Sequence, residues 1–267
     1  MTKPTSDEQD PTNVSRVINI NHGVVGIQAP HITEGTVVIN SNDDKVTFEQ
    51  APRMEGYNVK SDPELRGDDP RAIDWARRQS HAVVWFTVYD VLPFHPRPHA
   101  NLKPGRGDLK HWGEAVCSDA IVFATHPDTG GVRHLLLIER GDGHGWALPG
   151  GGLDAGEVSY EGCVRELSEE TGLDLDLEDV SYMLPPRVVD DPRAGQHAWM
   201  VTFPGVIYLP PGPFPTVTGQ DDATNAAWIP AESFDGLDDA LHERGGRIFP
   251  AHVDLLREVL DAEENDR

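Results

Sequence analysis

The sequence predicts a protein that combines many β-strands with few α-helices, and three observations support this class. Short runs rich in β-branched and aromatic residues, bounded by Gly, Pro and Asn, recur along the chain and predict strands. Apolar residues at helical spacing predict one helix over 159–171 and another over 249–262. With 267 residues, the chain is long enough for one domain of ordinary size and additional segments.

The order of these elements gives a domain prediction. Residues 1–13 are polar and predict a disordered tail, and 14–60 predict a β-rich N-terminal segment with a linker. The main domain is expected over 61–262, followed by a polar tail over 263–267. Its strands are predicted at 81–92, 119–124, 134–139, 145–148, 180–188 and 198–209, with a last strand before residue 230.

The composition restricts the partners that we expect. The chain has 45 acidic and 22 basic residues, a formal net charge of −23, so it repels nucleic acid and anionic membranes. It also repels phosphate groups, so an anionic substrate requires a metal or local arginines. No secretory leader opens the chain, and no apolar run reaches the roughly 18 residues that span a bilayer. We therefore expect a soluble cytoplasmic protein and leave its oligomeric state open.

A glycine-rich turn followed by a short helix dominates the middle of the sequence. In a helix over 159–171, the side chains of Glu166, Glu169 and Glu170 share one face. Like charges at this spacing destabilise a helix by a few tenths of a kcal/mol per pair. A hard divalent cation such as Mg²⁺ relieves that repulsion, because it prefers oxygen ligands. A solvated acidic face is the alternative in so acidic a chain.

The adjoining stripe of the same helix is apolar and is expected to pack into the core. It includes Cys163, so a disulfide with Cys117 is not expected. Gly172 is the predicted left-handed stop of the helix.

The complete pattern resembles a known family. Gly151, five residues, Glu157, seven residues and then the run REL-SEE-TGL over 165–173 are similar to the Nudix box of the Nudix hydrolases. Every fixed position of the box is filled. The resemblance implies an α/β/α sandwich with a mixed β-sheet. It also implies a metal-dependent attack of water on a nucleoside diphosphate linked to another group.

Four segments outside the box resemble the mitochondrial-type ADP-ribose pyrophosphatases, a family that includes the ADP-ribose-sensing domain of a melastatin-type cation channel. They are GRGDL at 105–109 with Trp112-Gly113, WALPGG at 146–151, DDPR at 190–193 with Ala198-Trp199, and FPAH at 249–252 with Leu255-Leu256. Two positions depart from that family, because Phe249 replaces a tyrosine and Ala251 replaces an asparagine. The second change removes a polar contact to the substrate.

The resemblance assigns catalytic and metal-binding roles to the acidic helix face. Glu166 and Glu170 are expected to hold Mg²⁺, or Mn²⁺ in its place, together with the backbone carbonyl of Gly150. Glu169 is expected to be a further ligand or the group that deprotonates the attacking water.

Two other assignments concern the box and the loop beyond it. A loop acid, Asp221 or Asp222, is the alternative base. Glu157 and Arg165 are expected to form an ion pair that fixes the loop to the helix.

Four residues are expected to bind the substrate. Arg193 suits a bidentate contact with phosphate or ribose oxygens, and Asp191 suits a ribose hydroxyl. Arg106 is a second candidate for phosphate, and Phe249 is expected to stack on adenine. Each has a structural alternative: an Asp191–Arg193 surface ion pair, an arginine that fixes its own loop, and a phenylalanine of the core.

The function that follows is hydrolysis of ADP-ribose, a small-molecule nucleotide, to AMP and ribose 5-phosphate. Two alternatives remain open. One is a module that binds ADP-ribose with little turnover, as in family members that carry substitutions among the box carboxylates. The other is a pyrophosphatase for a different nucleoside diphosphate derivative, since the box is common to all of these enzymes.

Overall fold

The computed structural model describes residues 63–265, so the predictions for 1–13 and 14–60 lie outside the described residues. The helices are α1 (Pro63–Arg66), α2 (Trp75–His81), α3 (Ser159–Thr171), α4 (Phe234–Glu243) and α5 (Val253–Asn265). The strands are β1 (Thr87–Tyr89), β2 (Leu92–Phe94), β3 (Gly113–Thr125), β4 (Arg133–Arg140), β5 (Trp146–Ala147), β6 (Gly150–Gly152), β7 (Tyr182–Met183), β8 (Arg187–Val189), β9 (Ala198–Tyr208) and β10 (Ala223–Pro230).

One large mixed sheet forms the centre of the molecule, with strand order β10–β4–β3–β9–β7. The long central strands β3 and β9 are parallel, and β4 is antiparallel to both β3 and β10. Almost every residue of β3 is buried, because both faces of the sheet are covered.

The strands β3 and β4 separate along their length. They pair directly only at Phe123–Thr125 of β3. Farther along, β6 pairs with β3 at Cys117–Asp119, while β5 pairs with β4 at Ile138 and Glu139. The short strands β5 and β6 thus fill part of the gap, and the rest of the gap is open.

Helices cover the two faces of the sheet. The apolar stripe of α3, with Tyr160, Cys163 and Leu167, packs in one cluster with Val201 and Ile207 of β9. On the opposite face, α4 and α5 pack in a second cluster with residues of β3 and β4. The α/β/α sandwich with a mixed sheet that the sequence predicted is therefore confirmed.

The predicted helix over 159–171 has the bounds of α3, and Gly172 ends it in the left-handed conformation with φ 71°. Three predicted strands were wrong in extent. The strand predicted at 119–124 begins six residues earlier, because β3 covers Gly113–Thr125. The stretch 81–92 contains the end of α2 and only a hairpin, β1–β2, which turns at Asp90 and Val91. The stretch 180–188 is divided into β7 and β8 by Pro185 and Pro186, which cannot donate to a strand ladder. Helix α4 was not predicted.

Residues 63–94 share a core with the sheet. The ring of Phe86 packs edge-on against Trp75 and Trp199, with centroid distances of 6.1 and 5.1 Å. The buried carboxylate of Glu114 accepts hydrogen bonds from the backbone N–H groups of Val83 and Val84, each at 2.9 Å. These contacts join the segment before the hairpin to the start of β3.

Both cysteines are buried and free. In the described residues, no helix has the length and apolar character needed to cross a bilayer. Helix α5 continues to Asn265, past the predicted domain boundary at 262.

We expect Glu114→Ala to lower the free energy of unfolding by about 2–5 kcal/mol, because two buried N–H donors lose their acceptor. Glu114→Gln retains one acceptor oxygen and is expected to cost less. Urea denaturation measures both changes, with Glu243→Ala at the exposed end of α4 as the control. Equal midpoints for Glu114→Ala and Glu243→Ala would contradict the structural role of Glu114.

Candidate active site

A cavity of about 510 Å³ lies where β3 and β4 diverge. Its volume falls within the range typical of small-molecule sites. The walls come from β3, β4, β6, the C-terminal end of α3 and the segments around residues 191, 221 and 249. Its acidic and arginine lining residues are Asp119, Arg140, Asp142, Glu170, Asp191, Arg193, Asp221 and Asp222.

The turn into β6 lies directly against the end of α3. The backbone N–H of Gly150 donates to Oε2 of Glu170 at 2.8 Å. A Cβ atom on Gly150 would overlap the carboxylate of Asp119, and one on Gly151 would lie 2.5 Å from the carboxylate of Glu166. At Gly150 the Cβ would also lie 2.6 Å from the backbone oxygen of Ser118, so glycine is required there. At Gly151 the overlap is with the Glu166 side chain alone.

Arg165 binds three of the box carboxylates. Its guanidinium donates to Glu157 at 2.7 and 2.9 Å, which is the ion pair that the sequence predicted. It also donates to Glu166 at 2.7 Å and to Glu169 at 3.1 Å. Glu166 is buried, the Glu169 side chain is 47% exposed, and neither belongs to the described lining of the cavity. The positive charge of Arg165 thus offsets the repulsion between the carboxylates of Glu166 and Glu169.

Glu170 is the carboxylate of α3 that faces the cavity. Burial raises the pKa of Glu170 to about 8, and the charges of Glu166 and Asp119 add to this effect, while the hydrogen bond from Gly150 opposes it. The charged form is thus disfavoured without a nearby cation. The cavity lining also has six carboxylates against two guanidiniums, so a diphosphate would be repelled.

These residues fit a hard divalent cation by their chemistry, since carboxylate and carbonyl oxygens are its preferred ligands. Over 63–265, no three His, Cys, Asp or Glu side chains are already arranged to hold a metal ion. Arg165 contacts only Oε1 of Glu166 and Oε2 of Glu169, so the second oxygen of each carboxylate is the one that would join Glu170 around an ion.

Arg193 and Asp191 lie together in the lining of the cavity. Arg193 donates from Nε and Nη2 to Asp191 at 2.9 and 2.6 Å, and its backbone N–H donates to the same carboxylate at 2.8 Å. These hydrogen bonds raise the pKa of Arg193, which keeps its guanidinium charged. Asp191 is buried, so the pair is a wall of the cavity and not a surface turn.

A second arginine, which the sequence did not indicate, lies beside them. Arg140 donates to Asp142 at 3.0 and 2.6 Å, and its Cζ lies 4.5 Å from the centre of the Phe249 ring. The pairing with Arg140 holds the pKa of Asp142 well below its usual range. Phe249 is only 3% exposed, and Cζ of Arg193 lies 5.9 Å from its ring centre. The aromatic ring is thus a buried wall partly covered by arginine.

Arg106 is located away from these groups. Its guanidinium donates to the backbone oxygen of Gly67 at 3.2 Å and lies 3.6 Å from the carboxylate of Asp68. Its Cζ is 4.9 Å from the centre of the Trp112 ring. Among the described residues, Arg106 does not line the cavity, so the geometry favours the alternative that it fixes its own loop.

His252 connects the C-terminal segment to the glycine-rich turn. Its Nδ1 accepts the backbone N–H of Leu148 at 3.0 Å, which assigns the proton of the neutral ring to Nε2. Nε2 lies 3.7 Å from Oδ2 of Asp119. Burial lowers the pKa of His252, so the ring is neutral. This histidine therefore fixes the start of the turn that carries Gly150.

The loop before β10 is fixed to the end of α3. The backbone N–H groups of Thr218 and Gln220 donate to the carbonyls of Thr171 and Glu170 at 2.9 and 3.0 Å. Asp221 has φ 49°, an uncommon conformation for a non-glycine residue. Both candidate loop acids, Asp221 and Asp222, consequently line the cavity.

The sequence interpretation missed Asp119, Arg140, Asp142 and His252 as members of this site. A signal existed for Asp119, because a carboxylate within an apolar strand run requires a partner or a function. His252 belonged to the FPAH segment without an assigned role. We find no sequence signal for Arg140 and Asp142, since only the separation of β3 and β4 brings them to the cavity.

We expect the stability of metal-free protein to fall as pH rises, relative to Glu170→Gln. The folded-state pKa of Glu170, about 8, is above its ordinary value of 4.5. Folding therefore favours the protonated form, and this stabilisation is lost between these two values. The melting temperatures of the two proteins, measured in EDTA, should therefore differ by several degrees more at about pH 8 than at about pH 5. Parallel profiles for the two proteins would contradict the raised pKa.

Comparison with known proteins identifies the family. The NUDIX domain profile matches residues 118–252. A Caenorhabditis elegans protein named "Putative nudix hydrolase 6" is 34% identical over 226 residues, covering 78% of this chain and 81% of that protein. The mitochondrial ADP-ribose pyrophosphatase of Rattus norvegicus is 29% identical over 211 residues, covering 67% of this chain and 57% of that protein.

A cation channel is also related. The transient receptor potential cation channel subfamily M member-like 2 of Nematostella vectensis is 26% identical over 169 residues, covering 54% of this chain and 11% of the channel. Nudix enzymes generally use divalent metals. The box residues, the α/β/α sandwich and these matches agree, and the chain belongs to the Nudix hydrolase family as a pyrophosphohydrolase.

Proposed function

We propose that this protein hydrolyses ADP-ribose to AMP and ribose 5-phosphate. One observation carries the proposal: a single cavity is lined by the carboxylate of Glu170 and the Gly150 turn together with the guanidiniums of Arg140 and Arg193. Carboxylates can hold a cation, and guanidiniums bind phosphate and ribose oxygens in a planar, bidentate way. The similarity to a mitochondrial ADP-ribose pyrophosphatase supports the choice of substrate.

The metal in this proposal is Mg²⁺, with Mn²⁺ as the alternative. Glu166, Glu169, Glu170 and the carbonyl oxygen of Gly150 are the groups that would hold it. When bound, the ion offsets the negative charge of the diphosphate and lowers the pKa of a water. Arg165 would stay bound to Glu157 and hold these carboxylates in place.

The proposed substrate contacts come from other residues of the cavity lining. Arg193, fixed by Asp191, is the proposed donor to phosphate or ribose oxygens, and Asp191 is the proposed acceptor for a ribose hydroxyl. The adenine base would lie against Phe249 and Arg140, which already stack on each other at 4.5 Å. Arg106 has no proposed contact with substrate, because its guanidinium is directed to Gly67.

The reaction adds one water. The water oxygen forms a bond to one phosphorus, the bridging P–O bond breaks, and the bridging oxygen leaves on the other phosphate. The water proton goes to a carboxylate. Glu169 and the loop acids Asp221 and Asp222 are the proposed bases: Glu169 belongs to the box, and both loop acids line the cavity.

With Mg²⁺ present, we expect ADP-ribose to yield AMP and ribose 5-phosphate faster than any other compound in a panel of NADH, ADP-glucose, diadenosine polyphosphates and nucleoside triphosphates. EDTA should stop the reaction, and mass spectrometry identifies the products. Tight ADP-ribose binding without products would indicate a sensor. Turnover of a different nucleotide alone would overturn the substrate assignment.

Replacing a catalytic carboxylate should lower kcat while the protein remains folded. We expect Glu169→Gln, Asp221→Asn or Asp222→Asn, whichever removes the base, to reduce kcat on the order of 10²–10⁴-fold. Glu170→Gln should also weaken metal binding, measured by the Mg²⁺ concentration at half-maximal rate. Glu161→Gln is the control, because Glu161 is on the same helix, where its carboxylate accepts the N–H of Val158. A loss of kcat in Glu161→Gln equal to the others would contradict these roles.

A further inference from the structure

Two glycines on either side of Arg106 have the same backbone conformation and different surroundings. Gly105 and Gly107 both have φ 62°. A Cβ atom on Gly105 would meet nothing within 4 Å. One on Gly107 would overlap the carbonyl oxygen of Arg193 and lie 2.7 Å from that of Ala194. Only Gly107 therefore needs the absence of a side chain for packing.

The segment around Gly107 is hydrogen-bonded along the loop that carries Arg193. The backbone N–H of Asp108 donates to the carbonyl of Arg193 at 2.8 Å. In return, the N–H of His197 donates to the carbonyl of Gly105 at 2.8 Å, and that of Gln196 donates to Lys103 at 2.9 Å. These hydrogen bonds join the segment around Gly107 to the loop that carries Arg193, on both sides of residue 194.

The contact is equally close from the other side. A Cβ atom on Gly195 would overlap the carbonyl oxygen of Gly105 and the backbone nitrogen of Gly107. Both backbones therefore lie at a distance that only glycine permits. The carbonyl of Arg193 is held by this contact, while its side chain is held by Asp191.

We propose that Gly107 is a positioning residue for Arg193 and acts on the reaction through the backbone of the 191–198 loop. Residue 107 touches no substrate in this arrangement. It determines where the backbone of residue 193 lies, and the guanidinium must reach the cavity from there. The inference rests on the proposed function, in which Arg193 binds the substrate. It gives the GRGDL segment a role that does not require Arg106 to contact phosphate.

The test compares Gly107→Ala with Gly105→Ala. Both variants place an alanine at φ 62°, so backbone strain is matched, and only the first displaces the Arg193 carbonyl. We expect Gly107→Ala to raise KM for ADP-ribose on the order of tenfold, the effect of weakening a charge-assisted hydrogen bond. Gly105→Ala should leave KM unchanged. Equal KM values for the two variants would overturn the inference.

A double-mutant cycle separates positioning from a general loss of structure. Arg193→Ala alone should raise KM, and adding Gly107→Ala to it should raise KM little further, because the residue being positioned is gone. If the two changes in KM multiply, Gly107 acts independently of Arg193 and the inference is wrong. If Arg193→Ala leaves KM unchanged, the proposed role of Arg193 fails instead.

Hydrogen exchange provides a test that does not depend on the folding of Gly107→Ala. It uses whichever of the base variants described above loses turnover, loaded with ADP-ribose and Mg²⁺. Substrate binding at Arg193 should slow exchange of the Asp108 amide, which is bonded to the Arg193 carbonyl. The Gly130 amide, which donates to Pro127 in the turn before β4, is the internal control. No slowing at Asp108 when ADP-ribose is bound would overturn the inference.

Discussion

Burial of the Glu170 carboxylate beside Glu166 and Asp119 is the constraint on which the site depends. Three acidic groups within one buried region destabilise the charged protein unless a cation or a donor compensates. The Gly150 N–H provides one donor, and it does so only because the turn has no side chain at that position. The glycine-rich turn and the acidic helix therefore have to occur together. Neither forms this arrangement without the other.

Three arginines also compensate the negative charge around the site. Arg165 compensates the carboxylates of Glu166 and Glu169, while Arg193 and Arg140 are each paired with an aspartate two residues away in sequence. Such close pairing fixes planar groups in one orientation and reduces the entropy that ligand binding would cost. A chain with a net charge of −23 can thus present donors to an anion at one defined place.

Local patterns predicted the local part of this structure well. The bounds of α3 and its stop at Gly172 follow from helical periodicity and glycine conformation, which depend on neighbouring residues only. The extent of β1 was mispredicted because residues 82–86 are held by Glu114, a contact across thirty or so positions of sequence. Helix α4 was missed, although its apolar residues Phe234, Leu237 and Leu241 are spaced at i, i+3 and i+7.

The candidate site was predictable only in part, for the same reason. Spacing within one helix brought Glu166, Glu169 and Glu170 to attention. Arg140 reaches the cavity because two strands separate, and a strand separation has no signature in the order of residues. Arg106 was expected to bind substrate because its segment resembles a substrate-binding element. Its guanidinium instead donates to the backbone oxygen of Gly67. This segment is instead connected to the cavity through Gly107, which lies against the backbone of Arg193.

The shared core of residues 63–94 and the sheet has a consequence for how the domain is delimited. The span matched by the family profile begins at residue 118, within β3, and ends at residue 252, before α5. A protein shortened to that span would lose Phe86, which packs on Trp199, and Leu255 and Leu256, which cover the other face of the sheet. The span that the family profile matches is therefore shorter than the span whose residues pack into the two cores of the domain.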